Sequence, residues 1–507
     1  MFKNALVSVS DKTGLVEFLK PLADKGLRIV STGGSAEHLK KAGIKITEIR
    51  EQTGFPEVMG GRVKTLHPRI HMPLLARDFE AFDLELLKNE GLEPFDLVVV
   101  NLYPFEETLL KQETDALSEQ DLIEKIDIGG PTLLRASAKN FSRITVIADP
   151  SDYQWISAQG QTSLEDRKKL AGKVFALVSR YDSLISHWFG AFNGPDLSFG
   201  GSKVQELRYG ENPNQQASWY ANSGDRKGLH TAKILQGKPL SYNNILDLEA
   251  ATQLAKEFDE PTAVAVKHNN PCGVGLAPTI LEAAKRASSA DPVSVFGGIV
   301  ALNREVDGPT AELLDKIFLE CVVAPKISSA AMEVFAKKKN LRVLEWPNMM
   351  TCIRVHEVRT LAGGFLVQGV QSLGSETSKW KFLGEVPAEA VMQDLIFAEK
   401  VCASLKSNAI AIVKNGQTLG LGMGQVNRVE AVAHAVTRMQ AHHQSKARMI
   451  LASDAFFPFP DSIEKASEAG VKWILQPGGS LRDQEVFATA RRLGVNMVLT
   501  GERHFRH

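Results

Sequence analysis

The chain has 507 residues, with 59 Lys+Arg against 59 Asp+Glu, 44% hydrophobic and 23% charged residues. A neutral chain lacks the net basic field that general nucleic-acid or anionic-membrane binding demands, so any anionic ligand must be held by a local cluster. This balance is that of a folded globular protein of about three compact units, or two if one is large. Residues 1–10 lack the basic start, long apolar run and small-residue cleavage site of a signal peptide. No apolar run approaches the roughly 18 residues of a membrane span. Cys272, Cys321, Cys352 and Cys402 are far apart and form no CxxC pair, so a reducing, cytoplasmic setting is expected.

The first two hundred residues alternate short apolar runs with helical patterns, which predicts a doubly wound parallel sheet. Strands are expected at 5–9, 27–30, 97–101 and 144–148, and helices at 13–25, 35–42 and 132–140. From Arg167 to Phe189, apolar residues including Leu170, Val174, Val178, Tyr181 and Leu184 recur at helical spacing and predict a long helix closing the unit. Turn formers from Asn193-Gly194-Pro195 to Gly200-Gly201-Ser202 predict a domain boundary. Beyond it, strands run into polar motifs: 262–266 into Lys267-His268-Asn269, 450–452 into Ser453-Asp454, 473–475 into Gln476-Pro477-Gly478-Gly479, and 496–499 into the basic end. Residues 409–413 and 418–422 flank Asn415-Gly416, a hairpin signal, and 294–302 reads as one strand. The recurrence of strand and polar motif on both sides of about residue 370 predicts two similar lobes, although no sequence repeat is visible.

Several of these junctions carry chemistry. Ser8-Val9-Ser10-Asp11-Lys12-Thr13-Gly14 and Ser31-Thr32-Gly33-Gly34-Ser35 each lie between a strand and a helix. Either alone is equally an ordinary cap; two at neighbouring strand ends make a phosphate seat. Gly60-Gly61-Arg62-Val63-Lys64-Thr65 places two cations at alternate positions, which in an extended loop face one side, with the Thr65 hydroxyl beside them. Asp127 precedes a helix bearing Arg135 and Lys139, and Tyr103 follows the strand at 97–101. Lys64, Tyr103, Asp127 and Lys139 would suit acid/base work on a polar ring; the alternative reading is solvated surface. In the second region, Lys267 beside His268 can divide proton donation and abstraction, Arg208-Tyr209 suits a phosphorylated ligand, and Asn408 can donate to an oxyanion. Pro271-Cys272 has neither the second Cys nor the His-x-Glu of a zinc deaminase. A Walker loop is absent, and Gly420-Leu421-Gly422 follows a hairpin instead of opening a helix.

Ser8-Val-Ser-Asp-Lys-Thr-Gly14, Gly61-Arg-Val-Lys-Thr-Leu-His-Pro68, Asn101-Leu-Tyr-Pro-Phe105, Ile126-Asp-Ile-Gly-Gly130, Leu207-Arg-Tyr-Gly-Glu-Asn-Pro213, Ser453-Asp-Ala-Phe-Phe-Pro-Phe459, Gln476-Pro-Gly-Gly-Ser480 and Arg503-His-Phe-Arg-His507 run in this order along almost the whole chain. Together they closely resemble the bifunctional family that joins aminoimidazole carboxamide ribonucleotide (AICAR) transformylase to inosine monophosphate (IMP) cyclohydrolase. The resemblance implies a methylglyoxal-synthase-like cyclohydrolase domain over 1–198. It implies a transformylase domain of two cytidine-deaminase-like α/β lobes over 199–507, divided near 370. Further implications are a homodimer sharing its transformylase sites, no tightly bound cofactor or metal, and 10-formyltetrahydrofolate as co-substrate.

Residue by residue, the resemblance makes Lys267 and His268 the proton-handling pair and Asn408 the formyl-positioning residue, with Arg208, Tyr209, Arg428 and Asp454 at the substrate. It assigns cyclohydrolase catalysis to Lys64, Tyr103, Asp127 and Lys139, and phosphate and ribose binding to Ser10, Lys12, Thr32, Gly33, Gly34, Arg62 and Thr65. Three departures from the family pattern stand out: Asn214 where His is usual, Met72-Pro73 where a Gly-containing pair is common, and a shortened stretch from about 326 to 370. A chain that kept one activity, or only nucleotide and folate pockets, is the rival expectation.

Overall fold

The computed structural model describes residues 2–112, 115, 117–190, 195–443 and 448–507. Two compact units divide them: Met1–Ser202 with Asn222–Asp225, and Lys203–Ala221 with Arg226–His507. Asn193 and Gly194 of the expected boundary lie outside the described residues. Among the described residues no helix is long and apolar enough to cross a membrane.

The first unit is built on five parallel strands, β1 (Asn4–Ser8), β2 (Arg28–Ser31), β3 (Thr47–Glu48), β4 (Leu97–Val100) and β5 (Thr145–Ile147), in the order β3-β2-β1-β4-β5. The uninterrupted Leu97–Val100 run is buried at every position, as a strand covered on both faces must be. Strand order reverses beside β1, so the loops after β1, β2 and β4 border one crevice at the carboxyl ends of the strands. The Leu164–Trp188 helix buries Leu170, Val174, Val178, Tyr181 and Leu184. Its start is fixed reciprocally: Asp166 N–H donates to Ser163 Oγ at 3.1 Å, and Ser163 N–H donates to Asp166 Oδ2 at 2.9 Å.

The second unit carries β8 (Lys233–Gln236), β9 (Thr262–Lys267), β10 (Asn270–Leu276), β11 (Gly298–Leu302), β12 (Leu319–Ala324), β13 (Arg342–Glu345), β16 (Lys381–Leu383), β17 (Ile410–Lys414), β18 (Gln417–Gly422), β19 (Met449–Ser453), β20 (Val471–Gln476) and β21 (Asn496–Leu499) in one mixed sheet. Two small two-stranded sheets stand apart, β6 (Gly201–Leu207) with β7 (Ala217–Asn222), and β14 (His356–Leu361) with β15 (Gly364–Gly369). The large sheet has the order β16-β21-β20-β19-β17-β18-β10-β9-β11-β12-β13-β8. Read outward from its centre, each half is the same: an antiparallel hairpin, an antiparallel neighbour, two parallel steps and an antiparallel edge. Among the described residues one ladder pair, Gly275 with Gln417, joins the halves.

Glycine spacing shows why the two halves pack alike. A Cβ on Gly273 or Gly275 of β10 would lie 2.1 or 2.3 Å from the carbonyl oxygen of Ala287 or Ala283 on the Ile280–Ala290 helix. On β18, Gly420 and Gly422 stand equally close, 2.0 Å, to the carbonyls of Ala435 and Ala431 on the Arg428–His442 helix. The Gly420-Leu421-Gly422 motif therefore admits a helix backbone rather than a nucleotide.

The span expected as one strand at 294–302 is instead a short helix, Pro292–Val295, followed by β11 from Gly298. Asp291 accepts the Ser294 N–H at 2.9 Å and Pro292 takes the first helical position, while Gly297 at φ 76° breaks the chain before the strand. Pro73 lies inside the Pro68–Leu75 helix, and Arg69, whose carbonyl would have met its missing N–H, accepts from Gln52 Nε2 at 3.5 Å.

Candidate active sites

In the first unit, the Gly33–Lys41 helix opens without a side-chain cap, because the Thr32 hydroxyl is engaged with Ser8 Oγ at 3.1 Å. Its first N–H groups are left for a ligand. Two ammonium groups flank them: Lys64 Nζ lies 3.0 Å from the Cβ position of Gly33, and Lys12 Nζ lies 3.9 Å from that of Gly34. Ser10 is held by Asn101, whose Oδ1 accepts the Ser10 and Asp11 N–H groups at 2.6 and 3.0 Å. A cavity of about 270 Å³ adjoins this corner, lined by Thr32, Gly33, Phe55, Glu57, Lys64 and His67.

The loop 60–65 is not extended. Gly60 and Gly61 adopt φ 63° and 85°, and Lys64 and Leu66 donate to the carbonyls of Gly61 and Val63. The side chains expected on one side accordingly diverge. Arg62 forms an ion pair with Glu124, Lys64 faces Gly33 and lies 3.7 Å from Glu57, and Thr65 packs on Gly129.

Asp127 is fixed from three directions. Its Oδ1 accepts the Gly130 N–H at 2.7 Å, its Oδ2 accepts the Tyr103 N–H at 3.3 Å, and its own N–H donates to Tyr181 Oη at 2.7 Å. Burial pushes its carboxyl above the ordinary range, an effect partly offset by those N–H donors and by the Lys64 charge. Burial, with the charges of Asp127 and Glu57, raises the Tyr103 phenol in the same sense. Lys139 does not join this group. It is the exposed last residue of the Gly129–Lys139 helix, about 15 Å along the axis from Gly129.

In the second unit, His268 and Asn269 form the two-residue turn between β9 and β10, both left-handed at φ 53° and 61°. Lys267 Nζ donates to the Phe296 carbonyl at 2.7 Å, and the Asn269 N–H donates to Asp247 Oδ1 at 2.5 Å. Burial raises the Asp247 carboxyl, against the pull of the Asn269 and His268 N–H groups. Asn270 Oδ1 accepts the Lys406 N–H at 3.4 Å, tying this turn to the loop that carries Asn408.

Asn408 is locked in place. Its Nδ2 donates to the Gln425 carbonyl at 2.8 Å and its Oδ1 accepts from Arg428 Nη2 at 2.6 Å. Arg428 also pairs with Asp454, and both side chains are buried. The resemblance places both at the substrate; here Arg428 bonds Asn408 and Ser453 as well as Asp454, and Asp454 also accepts from Ser407 Oγ, so both support the Asn408 segment. Arg208 and Tyr209 follow β6, the guanidinium 5.6 Å from the ring centre, and the Glu211 carbonyl accepts from Asn243 Nδ2 at 3.4 Å. Asn214 is exposed in the loop that Gln215 folds back on Gly210.

At the corresponding place in the other half, the hairpin β17–β18 turns at Asn415-Gly416, with φ 50° and 68°. Asp394 accepts both of its N–H groups, at 2.6 and 2.7 Å. A cavity of about 490 Å³ lies against this turn, lined by Phe258, Pro261, Leu276, Asp394 and Phe397.

Sequence reasoning passed over Asn101, Tyr181 and Asp247. An Asn directly after a buried apolar run was a signal for the first. Tyr181 reads as core from its helical spacing, and nothing local marks Asp247.

Comparison with known proteins places these sites in a lineage. The family model described as "AICARFT/IMPCHase bienzyme" matches residues 137–438, and the "MGS-like domain" matches residues 14–132. The bifunctional purine biosynthesis proteins PurH of Synechocystis sp. and Microcystis aeruginosa are each 48% identical to this chain, and that of Ruminiclostridium cellulolyticum is 47% identical. Each match covers 100% of both sequences. A solved structure described as "Crystal structure of ForH" is 32% identical over 37% of this chain and 97% of its own, with a TM-score of 0.33. With the family model spanning more than half of the chain, and full-length relatives near half identity, this protein belongs to the AICARFT/IMPCHase bienzyme family.

Proposed function

We propose that the chain catalyses two successive reactions of purine biosynthesis. The region from about residue 199 onward transfers the formyl group of 10-formyltetrahydrofolate to AICAR, and residues 1 to about 198 close formyl-AICAR to IMP with loss of water. The observation that carries the first assignment is the left-handed His268. A histidine there costs about 1 kcal/mol or more, whereas the equivalent turn uses Asn-Gly, the pair that adopts this conformation most readily. A strained backbone held beside Lys267 supports a functional role for this turn and its imidazole.

In formyl transfer, the AICAR amine is a weak nucleophile because its lone pair is delocalised into the ring. His268 takes its proton as it attacks the formyl carbon. Lys267 stabilises the tetrahedral oxyanion or protonates the departing folate nitrogen, and Asn408, held by Arg428, donates to the formyl oxygen. Arg208 and Tyr209 receive the nucleotide.

In ring closure, the carboxamide nitrogen attacks the formyl carbon of the same molecule. Holding the folded conformer can supply about 7–11 kcal/mol. The phosphate sits at the open start of the Gly33–Lys41 helix with Ser10, Lys12 and Thr32. Asp127, whose raised basicity suits it, receives the amide proton. Lys64 stabilises the oxyanion and Tyr103 hydrogen-bonds the reacting carbonyl. Lys139 is given no step, because its helix carries it away. Arg62 and Thr65 shape the loop that presents Lys64.

The same reading makes the enzyme a cytoplasmic homodimer with no resident metal or cofactor. Val426, 94% exposed next to Gln425, and the exposed Phe456 near Asp454 give such a dimer an apolar surface beside Asn408.

The test follows purine-ring absorbance with AICAR plus 10-formyltetrahydrofolate, and in parallel with formyl-AICAR. IMP from both is expected. IMP from formyl-AICAR alone would confine the chain to cyclohydrolase activity and point to Asn214, and no product from either would make it a binding protein.

A further inference from the structure

The two halves of the large sheet allow a comparison within one molecule. In each half, the helix before the hairpin supplies an aspartate whose carboxylate receives the backbone of a two-residue turn. Asp394, on the Glu389–Ser404 helix, accepts Asn415 N–H at 2.6 Å and Gly416 N–H at 2.7 Å. Asp247, on the Tyr242–Ala255 helix, accepts the Asn269 N–H at 2.5 Å, with the His268 N–H pulling on the same carboxylate more weakly.

The clamps are alike but the turns are not. Asn-Gly adopts two left-handed residues readily, so Asp394 reinforces a turn that forms without it. His268-Asn269 has no glycine, and its conformation persists only where surrounding contacts over-determine it. We infer that Asp247 is the positioning residue of the formyl-transfer site, holding the His268-Asn269 turn so that Lys267 and His268 meet the substrate in register. The inference rests on the transformylase reading given above.

The remaining contacts of the turn are neutral. Lys267 Nζ is steered by the Phe296 carbonyl at 2.7 Å, and Asn270 Nδ2 donates to the His268 carbonyl at 3.0 Å. The nearby acid Glu320 is engaged by Asn244 Nδ2 at 2.8 Å. An asparagine at 247 replaces the charged acceptor of the Asn269 N–H by a neutral amide of nearly the same shape, so Asp247→Asn loosens the turn without creating a cavity.

The test compares the intact protein with Asp247→Asn and Asp394→Asn, reading both activities and the melting temperature. The two substitutions weaken corresponding clamps, and each is expected to lower the melting temperature. Asp247→Asn should reduce kcat for formyl transfer by about tenfold to a hundredfold, the scale set by misplacing a catalytic group by 1 Å, with KM for AICAR within about twofold. Asp394→Asn should leave that kcat within about twofold, and ring closure should be unchanged in both. An active protein whose kcat ignores Asp247→Asn, whose kcat falls equally in the two variants, or whose change lies in KM alone overturns the positioning role alone. An unsubstituted protein that forms IMP from formyl-AICAR but transfers no formyl group overturns the transformylase reading and this role with it.

Discussion

Arg428 and Asp454 form an ion pair whose side chains are 6% and 0% exposed, and Arg428 reaches past it to Asn408 Oδ1 at 2.6 Å. Asp454 Oδ2 also accepts from Ser407 Oγ at 2.5 Å, so one carboxylate anchors both the guanidinium and the residue before Asn408. The pair is thus scaffolding for an amide, and removing one partner strands a buried charge.

Asp454→Asn should therefore destabilise the second unit by about 3–5 kcal/mol. Denaturant unfolding followed together with formyl-transfer kinetics checks this. A variant that keeps its stability and loses only AICAR affinity would restore Asp454 to the substrate.

His268→Asn places at this turn the residue that occupies the equivalent position 415. Asn tolerates the left-handed region, so the melting temperature should hold or rise slightly. Formyl transfer should fall about 10²–10⁴-fold, the range for losing a general base. Retained turnover would remove His268 from the chemistry.

Asp127→Asn should abolish most ring closure while sparing formyl transfer, as parallel assays on one preparation would reveal. Because burial raises the Asp127 pKa, the acid limb of the ring-closure profile should lie above the usual carboxylate range. For stability the sign is fixed by the same shift. A group whose folded pKa is raised stabilises the fold in its protonated form, and that contribution disappears as pH rises through the folded value. Wild type should accordingly gain melting temperature relative to Asp127→Asn as pH is lowered from 7 toward 4. The opposite trend would mean that the N–H donors of Gly130 and Tyr103 outweigh burial.

Gly420→Ala drives a methyl to 2.0 Å from the Ala435 carbonyl, whereas Gly424, at φ 67°, has open space around its Cβ position. Overpacking should cost the first about 1–3 kcal/mol or more, and the second only the conformational penalty of a left-handed alanine, about 1–2 kcal/mol. Thermal unfolding of the two variants checks this, and a Gly420→Ala protein as stable as wild type would refute the close helix approach.

The parallel sheet of the first unit was legible because Leu97–Val100 and its companions are uninterrupted apolar runs, and the Leu164–Trp188 helix because its burial repeats every third or fourth residue. The doubling of the second unit was legible only as the recurrence of strand and polar motif on both sides of about residue 370, since it is kept as geometry rather than as letters. Gly273 and Gly275 answer to Gly420 and Gly422, but His268-Asn269 answers to Asn415-Gly416, and only the latter spells a turn. Asp247 escaped for a related reason: it meets Asn269 across 22 positions of sequence. Arg62 and Lys64 were read as one extended edge because left-handed Gly60 and Gly61, which coil the loop, leave no trace in side-chain alternation.

Among the described residues, the one ladder pair between the halves, Gly275 with Gln417, lies beside the Asn415-Gly416 turn, where Leu276 N–H also donates to the Gly416 carbonyl at 2.7 Å and Val274 N–H to Thr418 Oγ1 at 2.9 Å. At the His268 end the link to the other half is instead a side chain, Asn270 Oδ1 accepting the Lys406 N–H. The spine of the sheet is thus stitched by backbone at one end and by a replaceable side chain at the end that carries Lys267 and His268.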